Sequence, residues 1–161
     1  MQLTQDSNTN DYAVRKATQG DVFNIVFSVK QFCKSVPHRA WGRFNAEKVS
    51  TLVHSLINDR EGFVYVVDYK GDIVGALIGA IADLAISDDT VAQELMLWID
   101  PEHRNNRAAL ELLDTYVKWS EAMGCTFARL SSVDELMGSK VGILFRRKGF
   151  KAVETAYLKE I

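Results

Sequence analysis

The stretch from Glu94 to Met123, ELMLWIDPEHRNNRAALELLDTYVKWSEAM, limits the folds open to this chain more than any other. Residues 91–99 are mostly apolar and β-compatible, and Asp100-Pro101 ends them because proline has no N–H to give a ladder. After the polar run His103-Arg104-Asn105-Asn106-Arg107, residues Ala109, Leu112, Tyr116, Trp119 and Met123 fall on one helical stripe, with Leu113 beside it. Glu111, Asp114, Lys118 and Glu121 fall on the opposite stripe, and Gly124 stands where a C-cap glycine belongs. A strand that feeds a helix through such a turn is a ready anion site. The first N–H groups of the helix have no intrahelical partner, and the helix dipole favours negative charge there. The dipole contributes only about 0.3–1 kcal/mol per charge, so a phosphate ligand requires several amides plus cations. Arg104 and Arg107 bring cations, and Asn105-Asn106 suits a turn that visits positive φ. Without a ligand the same residues make a capped turn with solvated arginines, and spacing alone leaves both readings open.

The rest of the chain supports one compact domain over residues 12–161. A chain of 161 residues buries one sizeable core and is too short for two ordinary domains. Residues 1–11 are polar and aperiodic and read as a flexible tail without the apolar stretch of a signal peptide. Nineteen Lys plus Arg against 21 Asp plus Glu give a net charge of −2, which argues against a general nucleic-acid binder. The longest apolar run, Ile73–Ala82, is about half of a bilayer span, so no membrane insertion is expected. Cys33 and Cys125 lack CxxC spacing and sit in apolar patterns, as reduced core residues of a cytoplasmic protein do. The three histidines are scattered without metal-ligand spacing, and no metal is expected; His103 reads as solvent-facing.

In chain order, Tyr12–Ala17 reads as a strand, and Thr18 with Asp21 caps a helix through Val22, Ile25, Val26, Val29, Phe32 and Cys33 that Pro37 closes. His38 to Phe44 is an aromatic and basic connector, and Asn45 caps a second helix with Val49, Leu52, Val53, Leu56 and Ile57 on one stripe. Gly62–Asp68 and Ile73–Ala82 are strands around the turn Tyr69-Lys70-Gly71-Asp72. Asp83–Asp89 is an acidic loop and Ala92–Ile99 the next strand. Beyond the long helix come a strand over Thr126–Leu130, a helix over Ser139–Lys148 and a final strand over Ala152–Glu160. The fold class is α/β (α+β): a mixed central sheet, mostly antiparallel, flanked by helices.

Two motifs carry a family resemblance. Leu97-Trp98-Ile99-Asp100-Pro101-Glu102-His103-Arg104, followed by Ala109 and Leu112-Leu113, resembles the central motif of the GNAT superfamily of N-acetyltransferases, Leu-x-Val-x-Pro-x-x-Arg-x-x-Gly-x-Gly/Ala. Leu144-Phe145-Arg146-Arg147-Lys148-Gly149-Phe150 is similar to the family's Leu-Tyr-x-x-x-Gly-Phe. The resemblance covers residues 12–161 and includes phage and bacterial proteins. Arg107 stands where the family usually has glycine, Asn105 where a further glycine is common, and Phe145 where a tyrosine often serves as general acid.

The resemblance implies acetyl-CoA as co-substrate and a primary amine as acceptor, whether a small molecule, a peptide or a protein lysine. It implies transfer by direct attack within a ternary complex. The amides of residues 104–109, with Asn105, Asn106, Ala108 and Ala109 among them, would hold the pyrophosphate, helped by Arg104 and Arg107. The strand edge at Leu97, Trp98 and Ile99 would run beside the pantetheine arm with Phe145 nearby, and a main-chain N–H near Ile99 would serve the oxyanion. An amine with pKa near 10.4 costs about 4–5 kcal/mol to deprotonate at pH 7. Glu94, which strand alternation puts with Met96 and Trp98 and opposite Leu95, Leu97 and Ile99, is the candidate base; a strand acid paired with an arginine is the alternative. Tyr157 on the final strand is a candidate acid, or else a half-buried strand aromatic. Ser131 and Ser132 follow the fifth strand and could contact a pantetheine arm, or else be ordinary loop residues. Trp41 and Phe44 could wall the acceptor, and Asp83, Asp88 and Asp89 could attract it or simply be a solvated loop. A homodimer is possible. The rival to an enzyme is a GNAT-fold binding or assembly module, for example a phage-associated one, that has lost turnover but still binds coenzyme A.

Overall fold

The computed structural model describes residues 11–36, 41–104 and 106–161, without the side chains of 134–139. Five strands form one sheet in the order β1-β2-β3-β4-β5: β1 Tyr12–Lys16, β2 Gly62–Tyr69, β3 Asp72–Asp83, β4 Thr90–Ile99 and β5 Phe127–Arg129. All neighbours are antiparallel except β4 and β5, which run parallel. The mixed, mostly antiparallel sheet anticipated from sequence is therefore present. Among the described residues no helix is long and apolar enough to cross a membrane.

The helices divide between the two faces as their stripes dictate. Helices α1 (Val22–Ser35) and α2 (Ala46–Asn58) cover one face, where Ile25, Val53 and Leu56 meet Val64, Val66, Ile78, Met96 and Trp98. Helices α3 (Ala108–Ala122) and α4 (Asp134–Arg147) cover the other, where Leu112, Leu113, Tyr116 and Phe145 meet Phe63, Val67, Leu77 and Ile99. Local signals set the element ends. Asn45 Oδ1 accepts the Lys48 N–H at 2.9 Å. Lys70 and Gly71 take φ of +54° and +96° in the β2–β3 turn, which a tight hairpin requires. Gly124, at φ +76°, ends α3. Thr18 donates its N–H to Asp21 Oδ2 at 2.7 Å, closing the cap ahead of α1. Asp21 also receives both terminal nitrogens of Arg15, which holds its carboxyl down at about 2.

Two expectations are corrected. Residues 151–161 form no strand; they run irregular and exposed. Their alternating Val153, Thr155 and Tyr157 satisfy a strand pattern, but a pattern without a neighbouring ladder cannot satisfy the backbone N–H and C=O groups. The last helix begins at Asp134 rather than Ser139. The expected helix stop at Pro37 lies outside the described residues; α1 ends at Ser35.

Candidate active site

The site begins with a strand pair that stops early. β5 pairs with β4 only at Val91–Phe127, Ala92–Ala128 and Gln93–Arg129. Beyond Gln93 the two chains part, and the far edge of β4 is open. Asp100 donates its N–H to Val74 of β3 at 2.8 Å, so even-numbered residues at this end of β4 direct their main-chain groups towards β3. The N–H and C=O groups of Leu97 and Ile99 consequently face the gap. One of these acceptors is already engaged: the Ile99 carbonyl receives Arg104 Nε at 2.7 Å.

Glu94 lies at the crotch of this fork. The residue is 7% exposed, and its carboxylate accepts both the Ser131 N–H (3.1 Å) and the Ser131 hydroxyl (2.6 Å). Burial pushes its pKa up from the ordinary carboxylate value, while the two Ser131 hydrogen bonds oppose the shift. Simple alternation would set Glu94 beside Met96 and Trp98, and the structure corrects this. Ile78 opposes Met96, but Gly79 opposes Glu94, leaving Leu95 without a cross-strand partner. That bulge reverses the pleat between Glu94 and Met96. Glu94 therefore faces the α3 side, as does Gly79, where an added Cβ would lie 3.1 Å from the Tyr116 ring. The Glu94 charge, after burial, helps to raise the Tyr116 hydroxyl, which donates to the Arg129 carbonyl at 3.2 Å.

The turn after β4 is fixed by its own side chains. Trp98 Nε1 donates to Asp100 Oδ1 at 2.8 Å, and the Arg104 guanidinium lies 4.7 Å from the centroid of the Trp98 ring. Burial pulls the Arg104 guanidinium below its usual value and Asp100 opposes that. Asn106 Oδ1 accepts the Ala108 N–H at 2.8 Å, and Asn106 Nδ2 donates to the His103 carbonyl. Asn106 thus caps α3 through its side chain. Among the described non-glycine residues only Lys70 has positive φ, so Asn106 does not use the left-handed conformation suggested for this turn. His103 is not simply solvent-facing either: its Nδ1 is 2.9 Å from the Tyr12 hydroxyl and its ring is 5.0 Å from that of Tyr69.

One cavity, with about 160 Å³ of interior space, joins these parts. Glu94, Leu97, Trp98, Ile99, Arg104, Ala109 and Phe145 all line it, so the fold unites seven of the residues singled out from sequence. Of the others, Ala108 is buried at the start of α3, Asn106 caps it and Arg107 is exposed beside it. Asn105 lies outside the described residues. Tyr157 is 94% exposed on the irregular C-terminal segment and does not line the cavity. Trp41, Ser131 and Ser132 line it, whereas Phe44 and the aspartates of the acidic loop do not; Asp89 accepts the Thr126 hydroxyl instead. Sequence reasoning missed Phe32, Leu95, Leu113 and Val141, which also line the cavity. The stripes of their helices carried Phe32 and Leu113 as core residues, and nothing in the sequence marks Val141, or Leu95 as the bulged residue of β4.

Together these features define a mixed α/β fold whose sheet is zipped at one end of the β4–β5 pair and open at the other. The chain belongs to the acetyltransferase (GNAT) family, whose sequence model matches residues 30–139. Solved structures repeat the fold. A transcriptional regulator from Bacillus halodurans C-125 superposes with a TM-score of 0.73 at 16% identity, over 93% of this chain and 99% of that one. A predicted acetyltransferase from Clostridium acetobutylicum, solved with acetyl-CoA, gives 0.73 at 14% identity, over 92% and 96% of the two chains. Glucosamine-6-phosphate N-acetyltransferase from Arabidopsis thaliana gives 0.71 at 13% identity, over 92% and 97%. No curated protein sequence matches the chain.

Proposed function

We propose that the protein transfers an acetyl group from acetyl-CoA to a primary amine within one ternary complex. The observation that carries this reading is the meeting, in a single cavity, of the buried Glu94 carboxylate, the outward-facing main chain of Leu97 and Ile99, and the amino end of α3 at Ala109. An extended pantetheine arm would lie along the open edge of β4 and hydrogen-bond there as a strand would. Its diphosphate would meet the first turn of α3, where helix-end amides and Arg107 supply positive potential. The Ala108 amide is engaged by Asn106, so Arg107 and the remaining first-turn amides carry more of the grip.

The amine attacks the thioester carbonyl, the C–N bond forms as the C–S bond breaks, and coenzyme A leaves as thiolate. The Ile99 N–H would steady the oxyanion, a contribution of roughly 10²–10³ in rate for a single donor. Glu94 would take the amine proton directly or through one water. A carboxylate with a raised pKa is a better proton acceptor than an ordinary one, provided it is still ionised at the working pH. Phe145 supplies no proton, and a thiol pKa near 8.5 makes thiolate a tolerable leaving group without one.

Two observations favour a second reading, a coenzyme-binding module without turnover: the Ala108 amide is already occupied, and the residue at the usual acid position is apolar Phe145. Calorimetric titration with acetyl-CoA, paired with thiol release against a panel of amines, separates the two. Binding with amine-dependent thiol release is the expected result, and binding without release for any amine supports the module. Absence of coenzyme binding removes both.

A further inference from the structure

We infer that the acceptor is a primary amine bearing a single positive charge and an apolar, ring-sized body, received by the rings of Trp41 and Phe32. This deepens the acetyltransferase reading and rests on it. The cavity reaches past the edge of β4 to the α1 side, where Phe32, Trp41 and Leu95 form its wall. The Phe32 ring lies 5.8 Å from that of Trp41 and 6.3 Å from that of Trp98, so three aromatic side chains border the cavity together. Trp98 is buried in the core, with Arg104 over its ring and its Nε1 held by Asp100, which leaves Trp41 and Phe32 as the receiving surfaces. Trp41 is 52% exposed, a large apolar area at a cavity mouth. An apolar body placed there removes that area from water, and the ring faces attract an ammonium group as well.

The charge inventory points the same way. Among the described lining residues the charged groups are Glu94 and Arg104, one of each sign. Each ammonium brought into such a cavity needs an acceptor, and Glu94 can serve one. A polycation would leave further ammonium groups unmatched. The Asp83–Asp89 loop, which could have served a polycation, does not reach the cavity lining.

The test uses the full chain with acetyl-CoA and two sets of acceptors: benzylamine, 2-phenylethylamine and tryptamine against spermidine and kanamycin, with ethylamine as a small reference. The expected kcat/KM is at least about tenfold higher for the ring amines than for the polycations, the scale on which apolar contacts discriminate. Trp41→Ala should lower kcat/KM for ring amines by about tenfold or more and for ethylamine by a clearly smaller factor, and Trp41→Phe should retain most of the wild-type value. Preference for a polycation, or an equal effect of Trp41→Ala on ring amines and ethylamine, overturns the inference. Binding is read separately, by titrating 2-phenylethylamine into CoA-saturated protein. Binding that disappears in Trp41→Ala, without turnover, supports the amine cradle and removes the transfer reading. No binding of any ring amine at millimolar concentration overturns the cradle.

Discussion

Replacing Glu94 by glutamine separates chemistry from folding in this protein. Glutamine keeps the shape and can still accept from the Ser131 N–H and hydroxyl through Oε1, the two bonds that hold the native carboxylate. What it loses is the capacity to take a proton. A positioned general base contributes about 10²–10⁴ in rate, or roughly 3–5 kcal/mol of barrier. Glu94→Gln should therefore lower kcat by about that factor with acetyl-CoA affinity unchanged. The pH profile adds a signature. In the wild type kcat/KM should rise with pH through a carboxylate pKa displaced upward by burial, and in Glu94→Gln that limb should vanish. Stability should move the other way. Because the folded-state pKa is raised, Glu94 favours the fold below its unfolded-state pKa and loses that contribution as pH rises through the folded value. At neutral pH the ionised carboxylate therefore burdens the fold, and Glu94→Gln should melt no lower than wild type. Stopped-flow or steady-state thiol release, calorimetric titration and thermal melts across pH 5–9 give the three readouts (pH range set by about two units around neutrality). Turnover retained with an unchanged pH profile refutes the base assignment, and loss of coenzyme binding together with turnover shows Glu94 to be an architectural group.

Three other perturbations follow from the geometry. Asp21, held at about 2 against an ordinary 3.8 by the Arg15 guanidinium, adds stability above its unfolded pKa that disappears as pH falls through 2; Asp21→Asn should cost roughly 2 kcal/mol at neutral pH in urea melts, the difference closing in acid. Gly75→Ala would bring a Cβ within 2.9 Å of both Ile99 Cγ1 and the Trp98 carbonyl; the end of β4 must shift, so melts should show a loss of about 1–3 kcal/mol and titration a weaker hold on acetyl-CoA. Arg107→Ala, at an exposed position, should weaken acetyl-CoA binding with an unchanged melting temperature, whereas Arg104→Ala should lower both, because it also releases the Ile99 carbonyl and the Trp98 ring.

The fold was legible wherever a local chemical signal and a hydrophobic period agreed. Asn45, Thr18 with Asp21, Lys70-Gly71 and Gly124 each mark an end that the structure keeps. The stripe Leu112, Tyr116, Trp119 placed α3 correctly because its burial needs only one neighbour, the sheet. The C-terminal segment failed on the opposite ground: a strand depends on a partner strand, and alternation in Val153–Tyr157 carries no information about one. At the site, the residues around β4 and the α3 turn were identifiable because strand, turn and helix are contiguous in sequence. The orientation of Glu94 was not, because a bulge is decided by pairing with Gly79 across the sheet rather than by β4 itself. The sequence places Ser131 after the fifth strand as a pantetheine contact or a plain loop residue; its grip on Glu94 joins positions far apart in the chain and leaves no spacing to read.

Leu95 is the member of β4 that answers to no one across the sheet. Interior strand positions are normally chosen twice over, by the opposing residue and by the helix layer they touch, so mutation at them is punished. Leu95 escapes the first constraint and, at 40% exposure, much of the second, yet it borders the cavity that holds Glu94. Natural drift can therefore remodel the cavity wall at this position while the scaffold stays intact.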